Sequence, residues 1–245
     1  MSFLRDRRPW GRGGTRPELP RLKPRQARND DNVNRVALGE LTPDLTSFLG
    51  RAACVQLSIF ETTASALTTA PTLGGKNAVS RVASSSLRKY DGLVLELVRI
   101  GHDPTQTMER FTAGIERFQH EVTGGDWYET LVTCYVTAGL LDDFFVRLAD
   151  GLGDEQRRRI TALLGQDAST QYIVEELRRA IADNPRLASR LAMWGRRLVG
   201  DTLLVARSSL AVPAPTRSDD ARLEPVFTEI ISSHTRRMDA LGLTA

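Results

Sequence analysis

Twenty-five residues, "HDPTQTMERFTAGIERFQHEVTGGD", separate two long periodic segments, and the length of this connection restricts the fold more than any other feature. Neighbouring antiparallel helices need only about 2–8 linking residues. A connection this long, with a short amphipathic piece around Phe111, Ile115 and Phe118, is expected to run back along the whole length of a helical bundle. Before it, Thr42 as N-cap and Pro43 at the first helical position open a helix A with apolar residues at Leu45, Phe48, Ala52, Val55 and Ile59, until Pro71 stops it. After the "TLGGK" turn, helix B carries Val79, Val82, Ser86, Tyr90, Leu93 and Leu97 on one stripe and ends at Gly101.

Beyond the connection, helix C runs from Trp127 to about Asp150 and is apolar nearly all round, the pattern of the most buried element. Gly151 and Gly153 end it, Asp154 can cap a helix D, and "DNPR" at 183–186 separates D from a fifth helix with Leu187, Leu191, Trp194 and Leu198. "VPAPTRSDD" reads as a linker to a last amphipathic helix with Leu223, Val226, Phe227, Ile230, Ile231 and Met238. No strand pattern competes. Two helical hairpins joined by one long crossover is the connectivity of a ferritin-like four-helix bundle. The fold class is therefore all-α, with the bundle and fifth helix over 40–211 and a linker and C-terminal helix over 212–245 packing on it.

At 41% apolar residues the chain can bury a sizeable core. No stretch approaches about 18 consecutive apolar residues, and no apolar segment follows the basic N-terminus, so a cytoplasmic protein without a membrane partner is expected. Cys54 and Cys134 sit in apolar helical patterns and read as buried thiols. The net charge of +3 hides an asymmetry: residues 1–29 hold nine Arg or Lys against Asp6 and Glu18, a net +7, which leaves −4 for the remainder. That segment, rich in Pro, Gly and Arg, has no apolar period, so residues 1–39 are expected to form a disordered basic tail.

Several stretches carry a resemblance. "FLGRAACVQLSIFETTASALTTAPTL", "DWYETLVTCYVTAGLLDDFF", "NPRLASRLAMWGRRLVGDTLL" and "HTRRMDALGL" are similar to an actinobacterial family of ferritin-like proteins grouped with the MiaE-type tRNA hydroxylases, over about residues 40–245. The resemblance implies a ferritin-like fold and, for true hydroxylases, a di-iron centre that uses oxygen to hydroxylate a modified adenosine in tRNA.

Such a centre takes a carboxylate from each of two helices and a Glu-x-x-His pair from each of the other two, because i and i+3 share a helix face. Here the expected position on helix B reads Ser86, Leu87, Arg88, Lys89, and on helix D Asp167, Ala168, Ser169, Thr170. Neither holds a histidine. His102, His120 and His234 are the three in the chain; none follows a carboxylate by three residues on a bundle helix, and all read as surface or loop residues. Glu61 and Glu129 interrupt apolar stripes, but Glu129 lies about 12 Å below the level of Asp167 and, three residues after Asp126, has capping-box spacing. Asp142 and Asp143 read either as core residues or as partners of Arg147. The candidate core polar cluster is Glu61, Lys89, Asp142 and Asp167, with Lys89 as the expected partner of Glu61.

Three functional readings follow. In the first, the bundle lacks a complete di-iron site, needs no cofactor, and acts as a binding protein whose tail, with Arg7, Arg8, Trp10, Arg12 and Arg16, attracts RNA or a protein complex; a tail that only solubilises is the alternative. In the second, Glu61, Asp142 and Asp167 hold iron without histidine in an oxygenase acting on modified tRNA. A generic homo-oligomeric helical protein is a third reading.

Overall fold

The structure, a computed structural model, describes residues 41–165, 168–210 and 217–244. The basic tail with its five candidate contacts, Asp167, and the side chains of Leu223 and Val226 lie outside the described residues. Every regular element among the described residues is helical: α1 (Leu45–Thr69), α2 (Leu73–Arg99), α3 (Pro104–Glu121), α4 (Trp127–Leu148), α5 (Asp154–Leu164), α6 (Thr170–Asp183), α7 (Pro185–Ser208) and α8 (Arg217–Ala240). None is long and apolar enough to cross a membrane.

Local sequence sets each start. Asp44, rather than Thr42, caps α1 by accepting from the backbone N–H of Ser47. Thr42 turns instead to the carbonyl of Leu148, tying the start of α1 to the end of α4. Thr72 caps α2 through the N–H of Gly75, so the "LGGK" segment forms the first turn of that helix and only residues 70–72 link the hairpin. At its other end, Gly101 takes a φ of 82°, and the N–H of His102 closes onto the carbonyl of Leu97. This left-handed cap costs a glycine little.

The long connection is more ordered than the sequence reading gave it. Asp103 caps through the N–H of Gln106 and Pro104 occupies the first turn, so the expected short piece is an 18-residue helix, about 27 Å long. It runs beside α1 in the same direction: Thr107 lies against Gly50, and Gln119 donates to the Ser58 carbonyl at 3.0 Å. It carries the chain back, so α4 starts beside the start of α2, with Trp127 against Gly75, and the two helices are parallel. That parallel pairing is the mark of the crossover connectivity. Asp126 caps α4, and Glu129 accepts from the Gly125 N–H at 2.9 Å, the helix-start role its spacing suggested.

Helix D differs from expectation. Gly165 ends α5, and α6 begins only at Thr170; Gly153, not Asp154, stands at the N-cap of α5. The core is continuous across α1, α2, α4 and α7, with Phe48, Phe144 and Phe145 wholly enclosed and packed edge to face. Cys54 and Cys134 are buried free thiols, and burial pushes them up to about 11 and about 12, which leaves them protonated and inert near neutral pH. The α7 helix packs along α4, where the Trp194 indole N–H donates to the Thr133 hydroxyl at 2.9 Å. Antiparallel to α4 runs α8, with Arg237 beside Asp143 and Arg147 beside Glu229.

Candidate functional site

The middle of the bundle holds a compact polar group. Asp142 on α4 accepts from the Lys89 ammonium of α2 at 2.6 Å through Oδ2, and from the Gln56 amide of α1 at 2.7 Å through Oδ1. Gln56, Lys89 and Asp142 are 1%, 5% and 8% exposed. Each takes this position from helix periodicity. Gln56 lies on the inward stripe of Leu49, Ala52, Ile59, Thr63 and Ala66; Lys89 lies between Ser86 and Leu93 on that of α2; Asp142 stands among Leu140, Leu141, Phe144 and Phe145. A buried carboxylate and ammonium lose several kcal/mol of hydration each, so they persist only where their mutual attraction and further hydrogen bonds offset the loss. Here both carboxylate oxygens are engaged.

Of the expected core cluster, the structure joins Lys89 to Asp142, leaves Asp167 outside the described residues, and moves Glu61 out. Glu61 is exposed, and its partner is not Lys89. The stripe Cys54, Leu57, Glu61 and Ala64 rotates from interior to surface along α1, which is why it misled. Glu61 lines an open groove of about 950 Å³ between α1, α3 and the 122–126 loop, together with Glu116 and His120. Arg147 pairs with Glu229 and Asp143 with Arg237, so the expected alternative, Asp142 or Asp143 with Arg147, is not what forms. His102 and His120 are exposed as expected, but His234 is 3% exposed and buried between helices.

Gln56 is the member that sequence reasoning missed. Its signal was present, since it is the one amide on the inward stripe of α1. The Lys89–Asp142 pairing was also accessible: parallel helices starting at 73 and 127 put Lys89 sixteen residues and Asp142 fifteen residues along, at one height.

These groups do not fit a di-iron centre. A protonated lysine has three donors and no lone pair, so it cannot ligate. At this height Asp142 is already shared by two donors, a carboxamide and an ammonium, and the other buried carboxylate among the described residues, Glu176 on α6, is engaged by Thr72 and Arg179 instead. Among the described residues no group of three or more His, Cys, Asp or Glu side chains could hold a metal ion. The arrangement instead supplies its own cation, between the helices that hold metals in bundles of this type.

A search of curated proteins finds no match to the chain. A comparison with family models matches residues 42–213 to a family described as "Ferritin-like domain, actinomycetes", a span running from the start of α1 to just past the end of α7. The helical content, the crossover between parallel α2 and α4, and this match agree: the chain belongs to the actinomycete ferritin-like domain family.

Proposed function

We propose that this protein is a cytoplasmic binding protein, a ferritin-like bundle whose centre is closed by an internal ion pair, with RNA as the partner attracted by its basic N-terminal segment. The observation that carries the first half is the Lys89 ammonium on Asp142, with Gln56 on the other oxygen. A bundle that keeps a lysine at this height has exchanged ligand chemistry for a fixed, neutral salt link. No bound cofactor is required for such a centre to be stable.

The second half rests on charge. A net +7 over residues 1–29 against −4 elsewhere gives one end of the chain a polyanion-attracting character that the remainder lacks. Phosphate contacts of this kind are salt-dependent and tolerant of sequence. The test has two arms on the full chain. Elemental analysis after anaerobic iron loading is expected to find substoichiometric iron and manganese; about two ions per chain would overturn the closed-centre reading and favour a tRNA hydroxylase using Asp142 and Asp167. Filter binding to RNA across a salt series is expected to show a steep slope that flattens when residues 1–35 are removed. Equal binding by the shortened chain would remove the basic segment from the account.

A further inference from the structure

Along its exposed face α2 carries Asn77, Arg81, Ser84 and Arg88 at spacings of four, three and four, which places them in a single row. Gln171 and Tyr172, in the first turn of α6, stand across from this row, and between the two helices lies an open cavity of about 510 Å³. That volume is within the range of sites that take a whole small molecule. None of the described residues that line it is acidic.

Both arginines are held in place by neutral groups. The Arg81 guanidinium lies over the Tyr172 ring, 4.6 Å from its centre, so α6 fixes where it stands. Arg88 turns back along α2 and donates from Nη1 to the Ser84 hydroxyl at 2.7 Å, which brings its charge to within one turn of Arg81. Neither contact neutralises anything. Neither arginine forms an ion pair with a described residue, whereas Arg99, Arg147, Arg159, Arg179, Arg190 and Arg237 each meet a carboxylate. A guanidinium that is already oriented loses less rotamer freedom when it takes a ligand.

The hydrogen-bonding groups in this row ask for one kind of partner. Arg81 brings five N–H groups and Arg88 four more beyond the one on Ser84, and Ser84, which accepts from Arg88, keeps its own O–H to donate. Donors therefore surround two positive charges. A carboxylate has two oxygens and one charge, and a single guanidinium fork satisfies it. A phosphate monoester has three acceptor oxygens and between one and two negative charges, enough for both arginines and the serine.

We propose that α2 and the first turn of α6 form a site for a small phosphomonoester, its phosphoryl group held by Arg81, Arg88 and Ser84 and its organic body lying along Gln171 and Tyr172 in the rest of the cavity. The site uses neither the basic N-terminal segment nor the ion pair at the bundle centre, so it stands or falls apart from both.

The test titrates the full chain with adenosine monophosphate and with phosphoserine at constant ionic strength, reading heat of binding and the Arg81 and Arg88 Nε–H signals by nitrogen-15 NMR. Saturable binding of at least one of the two, with both arginine signals moving together, is expected. Inorganic phosphate should bind more weakly, and adenosine should leave both signals in place. Arg81→Gln and Arg88→Gln should each weaken binding roughly tenfold or more, as for hydrogen bonds to a charged group, and Ser84→Ala roughly fivefold. All three positions are exposed, so the melting temperature should hardly move. Arg158→Gln, the same change of charge at an exposed position on α5, should leave binding unchanged. Failure of both monoesters to saturate, or an equal loss in Arg158→Gln, would overturn the proposal. So would adenosine binding as tightly as its monophosphate, or inorganic phosphate binding as tightly as the better monoester, since the first removes the phosphoryl group from the account and the second the organic body. An RNA strand without terminal phosphates that moves the two arginine signals when neither monoester does would also overturn it, and would make this face a contact for a nucleic-acid backbone.

Discussion

The bundle centre and the seam under α8 both bury polar side chains among apolar ones, yet they solve the problem in opposite ways. At the centre, groups from α1, α2 and α4 meet on one carboxylate, and each of its oxygens has a donor. At the seam, Asp143 and Gly139 engage one arm of Arg237 and leave the other arm and the whole imidazole of His234 unmatched. Low dielectric raises the stakes in both places: a completed network gains rigidity, and an incomplete one carries the full desolvation loss of each orphaned group. A completed network therefore reads as structure. An incomplete one weakens the interface that contains it.

The largest effect should come from breaking the completed network. Lys89→Met leaves Asp142 buried with its strongest donor gone, and a loss of about 3–5 kcal/mol in urea-induced unfolding is expected. Replacing both members, Lys89→Met with Asp142→Leu, removes the stranded charge and should recover most of that loss, a coupling that only a double-mutant cycle exposes. Glu61→Gln should change stability by no more than about 0.5 kcal/mol, because Glu61 is exposed. A cost below about 1 kcal/mol for Lys89→Met would mean that water reaches the pair and that the centre is no more closed than the seam.

Particular residues show what the sequence could and could not convey. The helices of the bundle were legible because their buried stripes keep a 3.6-residue period, and the crossover because its length allowed no tight turn. The extent of α3 was written in Asp103–Pro104, a cap followed by a first-turn proline, but a weakly apolar segment masks that signal. Helix D looked continuous because Gly165 is a small perturbation in sequence and a full stop in the chain. At the site, Lys89 and Asp142 could be chosen as inward-facing, but their pairing depends on relative helix height, which a single chain encodes only through where each helix begins. His234 was hidden for a different reason. Whether a histidine on an amphipathic helix is covered depends on which neighbour the helix packs against, and Gly139 and Gly195, which receive Arg237 and Met238 of α8, carry no hydropathy signal.

The seam should show itself most clearly with pH. His234 falls from an ordinary 6.5 to about 4 in the folded chain, chiefly through burial and secondarily through the Arg237 charge. Above pH 6.5 the ring is neutral in both states and the folded chain has its full stability. Between 6.5 and about 4 the unfolded chain binds a proton that the folded chain does not, so stability falls as pH falls, by about 2–3 kcal/mol, and the decline levels off below pH 4. Chemical denaturation at pH 7.5 and 4.5 measures it, and His234→Leu should remove this part of the slope. An unchanged slope in that variant would place the acid sensitivity elsewhere.

A smaller effect separates the glycine cradle of Arg237 from the helix that bears it. Gly139→Ala gains about 0.5–1 kcal/mol of helix preference on α4, but its Cβ would occupy the place of Arg237 Nε and force the guanidinium off two acceptors. Losing those hydrogen bonds should outweigh the gain and leave a net cost of about 1 kcal/mol. A net stabilisation would show that the seating of Arg237 contributes little to holding α8.

The smallest effect belongs to the rim of the same seam. Arg147 and Glu229 make a two-pronged contact between α4 and α8, and the hydrogen bonds that Arg147 donates to the Glu229 carboxylate raise its guanidinium above its ordinary value. Their side chains are 32% and 57% exposed, so water screens the attraction and both lose rotamer freedom to form it. Near neutral pH the arginine is charged with or without its partner, so the shift has no consequence for stability there. Arg147→Gln is expected to cost less than about 0.5 kcal/mol, and the difference should shrink further at about 1 M salt, where charges are screened within about 3 Å. A loss above about 1.5 kcal/mol that persists in high salt would mean that this rim pair, rather than Arg237 in its glycine cradle, fastens α8, and the orphaned atoms beneath would then lie in an interface held from outside.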